Sequence, residues 1–174
     1  MINSANFSVI ETLRTGRKVE IRAQRPPDRE GLEVAVARMS DDSVYRRFFG
    51  ARREFTEKEA TYFLNIDFVN HTALVAVADE NGEQAIVGGG RYVVVEAGRA
   101  EVAFAVVDEY QGQGLGAALM RNLAAIARQV ELRELIAEVL ASNAAMLKVF
   151  EKSGLEMTTE REGPVVHVTL SLLS

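Results

Sequence analysis

Glu101-Val-Ala-Phe-Ala-Val-Val-Asp-Glu-Tyr-Gln-Gly-Gln-Gly-Leu-Gly-Ala117 is the stretch that decides how this chain is read. An apolar run from Glu101 to Val107 meets a polar turn punctuated by Gly112, Gly114 and Gly116. The turn passes directly into a helical pattern with Leu115, Ala118, Leu119, Leu123, Ile126, Ala127 and Val130 on one stripe. A second apolar run covers Glu134 to Leu140, and after Ser142-Asn143 a short amphipathic segment ends at Gly154. The order is strand, glycine loop, helix, strand, helix.

Three glycines remove three side chains from a turn that ends at a helix N-terminus. There, backbone N–H groups lack intrahelical partners and the helix dipole favours negative charge, so the turn can cradle a phosphate. Gly112-Gln-Gly114-Leu-Gly-Ala117 also fits the dinucleotide-binding fingerprint, with Glu134 at about the right distance for the ribose carboxylate. Context opposes that reading. The ribose carboxylate belongs at the C-terminal end of the second strand, whereas Glu134 begins the 134–140 run, and about 100 residues precede a fingerprint that usually opens its domain.

Gln111-x-x-Gly114-x-Gly116 after an apolar strand, followed by Asn143-Ala-Ala-Met-Leu-Lys-Val-Phe-Glu-Lys-Ser-Gly154-Leu155, resembles the GNAT superfamily of acyl-CoA-dependent N-acyltransferases. In the first half, Arg25-Pro-Pro-Asp28, Ser43-Val-Tyr-Arg-Arg-Phe-Phe49 and Ala73-Leu-Val-Ala-Val77 are similar to a bacterial branch related to protein lysine acetyltransferases. The resemblance implies an α/β (α+β) GNAT-like fold over residues 1–174, with a mixed sheet of about seven strands flanked by helices on both faces. It also implies acetyl-CoA as co-substrate.

Composition is consistent with this. The 174 residues suit one domain able to bury its own core. The absence of cysteine excludes disulfides, thiolate metal sites and a cysteine nucleophile. No signal peptide and no long apolar span are visible, so a cytoplasmic protein is expected, away from membranes. A net charge of -5 argues against nucleic acid as a partner.

Along the chain, residues 1–16 read as a loose arm or edge element and Val19 to Arg22 as a short strand. Pro26-Pro27 starts a helix carrying Leu32, Ala35, Val36 and Met39; further helices are expected at about 43–49 and from Thr56 to about Leu64. Tyr45 to Phe55 mixes four arginines with aromatics. Nucleic-acid contact is one reading of it, and an amphipathic helix end with solvated arginines is favoured. Under the resemblance these arginines could instead steer an acidic acceptor.

From Thr72 onward strands dominate, with hairpin turns at Asp79 to Gly82 and Ala97 to Arg99. Gly88-Gly-Gly90 has no helix after it and reads as a bulge or a close backbone approach. A last hairpin turns at Gly163-Pro164. An exposed edge strand offers a means of pairing in a homodimer.

Amide formation from an amine requires loss of a proton, because an ammonium of ordinary pKa about 10.4 is seldom nucleophilic at neutral pH. Related lysine acetyltransferases use a glutamate near the start of this motif as base, which points to Glu101; the ordinary alternative is a solvated strand-end carboxylate. Glu138, inside an apolar strand, is second and is expected to be buried, with Glu96 third. The resemblance implies main-chain bonds from Val106 and Val107 to pantetheine, one of these amides lying near the thioester oxygen. It implies pyrophosphate contacts from Gln111, Gly112, Gln113, Gly114, Leu115, Gly116 and Ala117, and a pantetheine contact from Asn143, which can equally cap the last helix. Many relatives carry a tyrosine acid where this chain has Phe150, and phenylalanine cannot give a proton. Tyr110 is read as packing. His71 and His167 lie about 100 residues apart without a metal-binding pattern. The acceptor expected first is a lysine on another protein, then a small-molecule amine or amino acid. A module that binds acyl-CoA without turnover is the remaining alternative.

Overall fold

The computed structural model describes residues 4–40 and 66–173. The two helices expected at about 43–49 and 56–64, and the arginine-aromatic stretch Tyr45 to Phe55, lie outside the described residues. Eight strands form one sheet in the order β1-β2-β3-β4-β5-β6-β8-β7. They are β1 (Ser8–Thr12), β2 (Lys18–Ala23), β3 (His71–Glu80), β4 (Glu83–Glu96), β5 (Arg99–Val106), β6 (Glu134–Leu140), β7 (Glu156–Glu162) and β8 (Val165–Ser171). The described helices are α1 (Arg29–Ala37), α2 (Leu115–Gln129) and α3 (Ala144–Glu151). None of them is long and apolar enough to cross a membrane.

The expected class holds, with one strand more than the seven anticipated. The addition is β1, which pairs antiparallel with β2 from Ser8–Arg22 to Thr12–Lys18. It has only five residues, none fully buried, and so carries too weak an alternation to distinguish it from an arm.

The turns follow their chemistry. Asn81 (φ 56°) and Gly82 (φ 89°) both take left-handed conformations in the β3–β4 hairpin, as a two-residue turn requires. Pro26 to Asp28 form a 3-10 turn that runs straight into α1. The carboxylate of Asp28 anchors this corner: it accepts two bonds of 2.9 Å from the Arg22 guanidinium and one of 2.7 Å from the Arg25 amide.

Gly88 and Gly90 are places where the sheet admits something close. A Cβ on Gly90 would lie 2.7 Å from the Phe104 ring and 3.0 Å from Leu123 of α2; one on Gly88 would lie 3.2 Å from Leu115. A register shift at Ala76/Val77 occurs beside them, so both a bulge and a close approach are present. The glycines let α2 sit deep on this face, with Leu119, Leu123 and Ala127 fully buried. Residues alternate in β5, so Ala103 and Ala105 face the other side, where Met39, just beyond α1, packs against Ala105. Helices therefore cover both faces.

Between β5 and β6 the only parallel ladder among the described residues covers three residue pairs: Arg99–Glu134, Ala100–Leu135 and Glu101–Ile136. Beyond Glu101 the two strands part, and the parting makes the site.

Burial alone would raise the Asp28 carboxyl, but the bonds from Arg22 and the Arg25 amide outweigh it and hold the group below its ordinary range. A carboxyl depressed in the folded state stabilises the fold above the unfolded value of about 3.9, and that contribution fades as the pH falls through the folded value. Asp28→Asn is expected to lose about 2 kcal/mol at pH 7 in urea unfolding. It should also show a shallower loss of stability than wild type between pH 5 and 3, and parallel pH profiles for the two proteins would contradict this account.

Candidate active site

Where β5 and β6 separate, a cleft of about 340 Å³ opens, walled by residues 102–106 of β5 and Ala137 to Val139 of β6. The glycine loop closes one end, and Asn143, Met146 and Phe150 of the α3 segment close another side.

Main-chain direction in β5 decides which amides reach the cleft. The Val107 N–H donates to the Val87 carbonyl at 2.9 Å, and the Val107 carbonyl accepts from the Tyr110 N–H at 2.8 Å. In an antiparallel ladder bonded positions alternate, so Ala103 and Ala105 turn their amides to β4 as well. Val102, Phe104 and Val106 turn theirs towards β6, into the parting. The expectation of a cosubstrate contact from Val107 is thereby corrected: both its backbone groups are engaged within the fold and its side chain is buried. Val106 remains, its carbonyl accepting 3.0 Å from the Gln111 side chain.

The loop makes an anion cradle. The first bond into α2 runs from the Ala118 N–H to the Gly114 carbonyl, leaving the amides of Gly114, Leu115, Gly116 and Ala117 without an acceptor among the described residues. Gly114 sits at φ 93°, a conformation that favours glycine, and turns the chain into the helix. Gly116 lets α3 approach, since a Cβ there would lie 3.3 Å from Val149. Gly112, Gly114, Leu115, Gly116, Ala117 and Gln111 line the cleft. Gln113 does not. Its side-chain amide donates to the Glu109 carbonyl at 2.9 Å and its main-chain carbonyl accepts from Arg14, so it braces the loop from behind. The Asn143 side-chain oxygen caps α3 by accepting from the Met146 N–H at 3.2 Å, and its amide nitrogen has no hydrogen-bond partner among the described residues.

Tyr110 is the hub beneath the loop. Buried to 1% exposure, its hydroxyl donates to Glu80 at 2.7 Å and accepts from Arg17 at 2.7 Å. Arg38, just past α1, makes a bidentate pair with Glu80 at 2.9 Å and reaches Glu109 at 3.2 Å. The Ser40 N–H donates to Asp108. Burial and the Glu80 carboxylate raise the Tyr110 phenol above its ordinary 10, while Arg38 and the Tyr110 hydroxyl hold Glu80 low. Such a phenol is a structural donor.

The three carboxylate candidates separate. Glu101 lies on the last rung of the β5–β6 ladder, exposed, on the face of Ala103, and has no hydrogen-bond or ion-pair partner among the described residues. It stands at the edge of the cleft, whose lining begins with Val102. Glu138 lines the cleft, but the expectation of a buried carboxylate is corrected: its side chain is 56% exposed and 3.7 Å from His167. Glu96 pairs with Arg99 at the turn. Phe150 is buried and forms an apolar wall with Phe104, ring centroids 6.0 Å apart. His71 is occupied by Arg91 at 3.0 Å, and no group of three or more metal-binding side chains occurs among the described residues.

Sequence reasoning did not single out Arg14, Met39, Lys148 and Lys152, which also line the cleft. The two lysines, four residues apart on α3 and at its C-cap, were detectable from helical spacing. Arg14 was not, because the β1–β2 turn meets the loop only through the sheet order.

A strand parting beside a glycine-rich helix N-terminus is the arrangement that the resemblance to acyl-CoA-dependent transferases implied. The profile of the acetyltransferase (GNAT) family matches residues 41–155, and the chain belongs to that family. It is 37% identical over 138 residues to an acetyltransferase of Pseudomonas aeruginosa, covering 79% of this chain and 74% of that protein. It is 33% identical to the acetyltransferase Pat of Mycolicibacterium smegmatis over 88% of this chain, though it spans only 46% of that protein's length. The GNAT domain of S. lividans PAT superposes with a TM-score of 0.84 at 32% identity, covering 94% of this chain and 96% of that one. The protein is thus a GNAT acetyltransferase, an enzyme class that uses acetyl-CoA, and the unsatisfied amides and small residues of the cradle fit that co-substrate.

Tyr110→Phe removes a hydroxyl that satisfies both Glu80 and Arg17 and is expected to lower stability by about 1–2 kcal/mol in urea unfolding. Turnover should persist within a few-fold. A fall in kcat of about 10²-fold or more, the contribution of a general acid, would give Tyr110 a chemical role instead.

Proposed function

We propose that this chain transfers the acetyl group of acetyl-CoA directly to the side-chain amine of a lysine on another protein, with Glu101 as general base. The observation that carries this is the carboxylate of Glu101, unpaired among the described residues, on the last rung before β5 and β6 part. A base there stands at the edge of the cleft, exposed to an amine arriving from solvent. The similarity of the first half to protein lysine acetyltransferases supports a lysine acceptor, and the small-molecule amine remains the second acceptor class.

Acetyl-CoA supplies an activated acyl group and a thiolate whose parent thiol has an ordinary pKa of about 8.5. The chain's residues do the rest. Amides from Gly114 to Ala117 hold the pyrophosphate, the Asn143 side-chain nitrogen orients the pantetheine, and the Val106 N–H donates to the oxygen on which negative charge develops. Glu101 takes the amine's proton, directly or through one water, as the N–C bond forms and the C–S bond breaks. Phe150 keeps water from the thioester and gives no proton, so the thiolate leaves as the anion and is protonated by solvent.

Calorimetric titration with acetyl-CoA tests the cradle. Ala117→Glu places a carboxylate in the first turn of α2, where it favours the helix but opposes the pyrophosphate. Wild type should bind; the variant should keep its thermal midpoint and lose most of its affinity. A failure of wild type to bind would remove the proposal.

With a panel of lysine peptides, amino acids and small amines, Glu101→Gln should retain acetyl-CoA binding while turnover falls by about 10²–10⁴-fold. Undiminished turnover would eliminate Glu101 as base. Binding without turnover on any acceptor in wild type would favour a sensor of acyl-CoA.

A further inference from the structure

The β1–β2 turn lies against the glycine loop, and of its two arginines the Arg14 side chain has no partner among the described residues. Three contacts hold the turn there. The Arg14 N–H donates to the Gln113 carbonyl at 3.0 Å, and the Thr15 hydroxyl donates to the Gln113 side-chain oxygen at 3.3 Å. Arg17 lies over the Tyr110 ring, 4.9 Å from its centroid, and bonds to its hydroxyl. The backbone of Arg14 is therefore fixed relative to the loop.

Its side chain crosses Gly114. A Cβ built on Gly114 would lie 3.8 Å from Arg14 Nε and 3.9 Å from its Cγ, and Arg14 lines the cleft. Neither a carboxylate nor any other group among the described residues pairs with its guanidinium. The nearby acids of the loop are engaged elsewhere: Glu109 holds Arg38 and Asp108 accepts from the Ser40 amide.

The charge placement is unfavourable as it stands. The N-terminus of a helix carries roughly half a positive charge, so a guanidinium beside it is repelled, and carboxylates are the residues usually found there. Fixing an unpaired arginine at this point makes electrostatic sense when an anion lies between it and the amides of Gly114 to Ala117.

Resting on the acetyl-CoA reading above, we infer that Arg14 binds the pyrophosphate of the CoA thioester from the side opposite the α2 amides. This makes the N-terminal hairpin part of the cosubstrate site. It also makes Arg14 a determinant of specificity, favouring nucleotide-bearing thioesters over thioesters of pantetheine alone. A guanidinium can meet two phosphate oxygens at once, which an ammonium cannot.

The test is titration of wild type, Arg14→Ala and Arg14→Lys with acetyl-CoA, its 3′-dephospho form and acetyl-pantetheine, at two salt concentrations. Arg14→Ala should weaken acetyl-CoA and the dephospho form alike, by about tenfold, the loss of one charge-assisted bond. Acetyl-pantetheine should be unaffected, Arg14→Lys should fall between the other two proteins, and high salt should narrow the gap. A loss on all three ligands would show a structural role and overturn the inference. A loss on acetyl-CoA alone would place Arg14 on the 3′-phosphate and overturn the pyrophosphate assignment. Equal binding by wild type and Arg14→Ala would overturn it outright. Wild type binding neither nucleotide form would remove the acetyl-CoA reading together with it.

Discussion

Three rungs of parallel ladder between β5 and β6 are the constraint on which the rest depends. A strand that continued its pairing past Glu101 would satisfy the main chain of Val102, Phe104 and Val106 within the sheet and leave no cleft. The strands part instead, and polar backbone turned towards the gap needs a partner from outside the protein, because unpaired backbone groups away from water cost free energy comparable to a lost hydrogen bond. An extended pantetheine chain, with its own amides, is the kind of ligand that completes such an interrupted sheet. The same parting leaves Glu101 at the edge, exposed to solvent.

The glycine loop ends one side of that gap and is held by elements that have no part in its sequence. Beneath it, Tyr110 is fixed by Glu80 from the β3–β4 hairpin and by Arg17 from the β1–β2 turn. Arg38 and Ser40, which follow α1, grip Glu109 and Asp108 at the loop's start. An anion cradle gains nothing from amides that must be ordered at the moment of binding, and this bracing orders them beforehand. The segment that follows α1 and the glycine loop thus share one network of charged hydrogen bonds, and Arg14 lies on the hairpin that completes it.

Much of this was legible in the sequence because it is local. The bounds of β6, the α2 stripe from Leu115 to Ala127 and the hairpin at Asn81-Gly82 rest on periodicity and turn chemistry within a few residues, although Val130, expected on the same stripe, lies past the end of α2 and is exposed. The close approach at Gly88 and Gly90 was also readable, since glycine within a strand has few other purposes. Position within the sheet was not. Glu138 sits in an apolar run that suggested burial, yet β6 buries mainly its alternate positions, and the outward face was fixed by pairing with β8.

By itself the sequence determined the strand-loop-helix core and the glycine turn at a helix N-terminus, because these follow from side-chain size, polarity and backbone freedom at adjacent positions, and it pointed to the family through the resemblance of its Gln111 to Gly116 and Asn143 to Leu155 motifs. Tertiary structure alone decided that Val106 rather than Val107 offers its amide, that β1 adds an eighth strand, and that Arg14 crosses Gly114. Each of these depends on which strand lies beside which and in what register. The sheet order brings the β1–β2 turn against a loop about a hundred positions away, and no local periodicity encodes it.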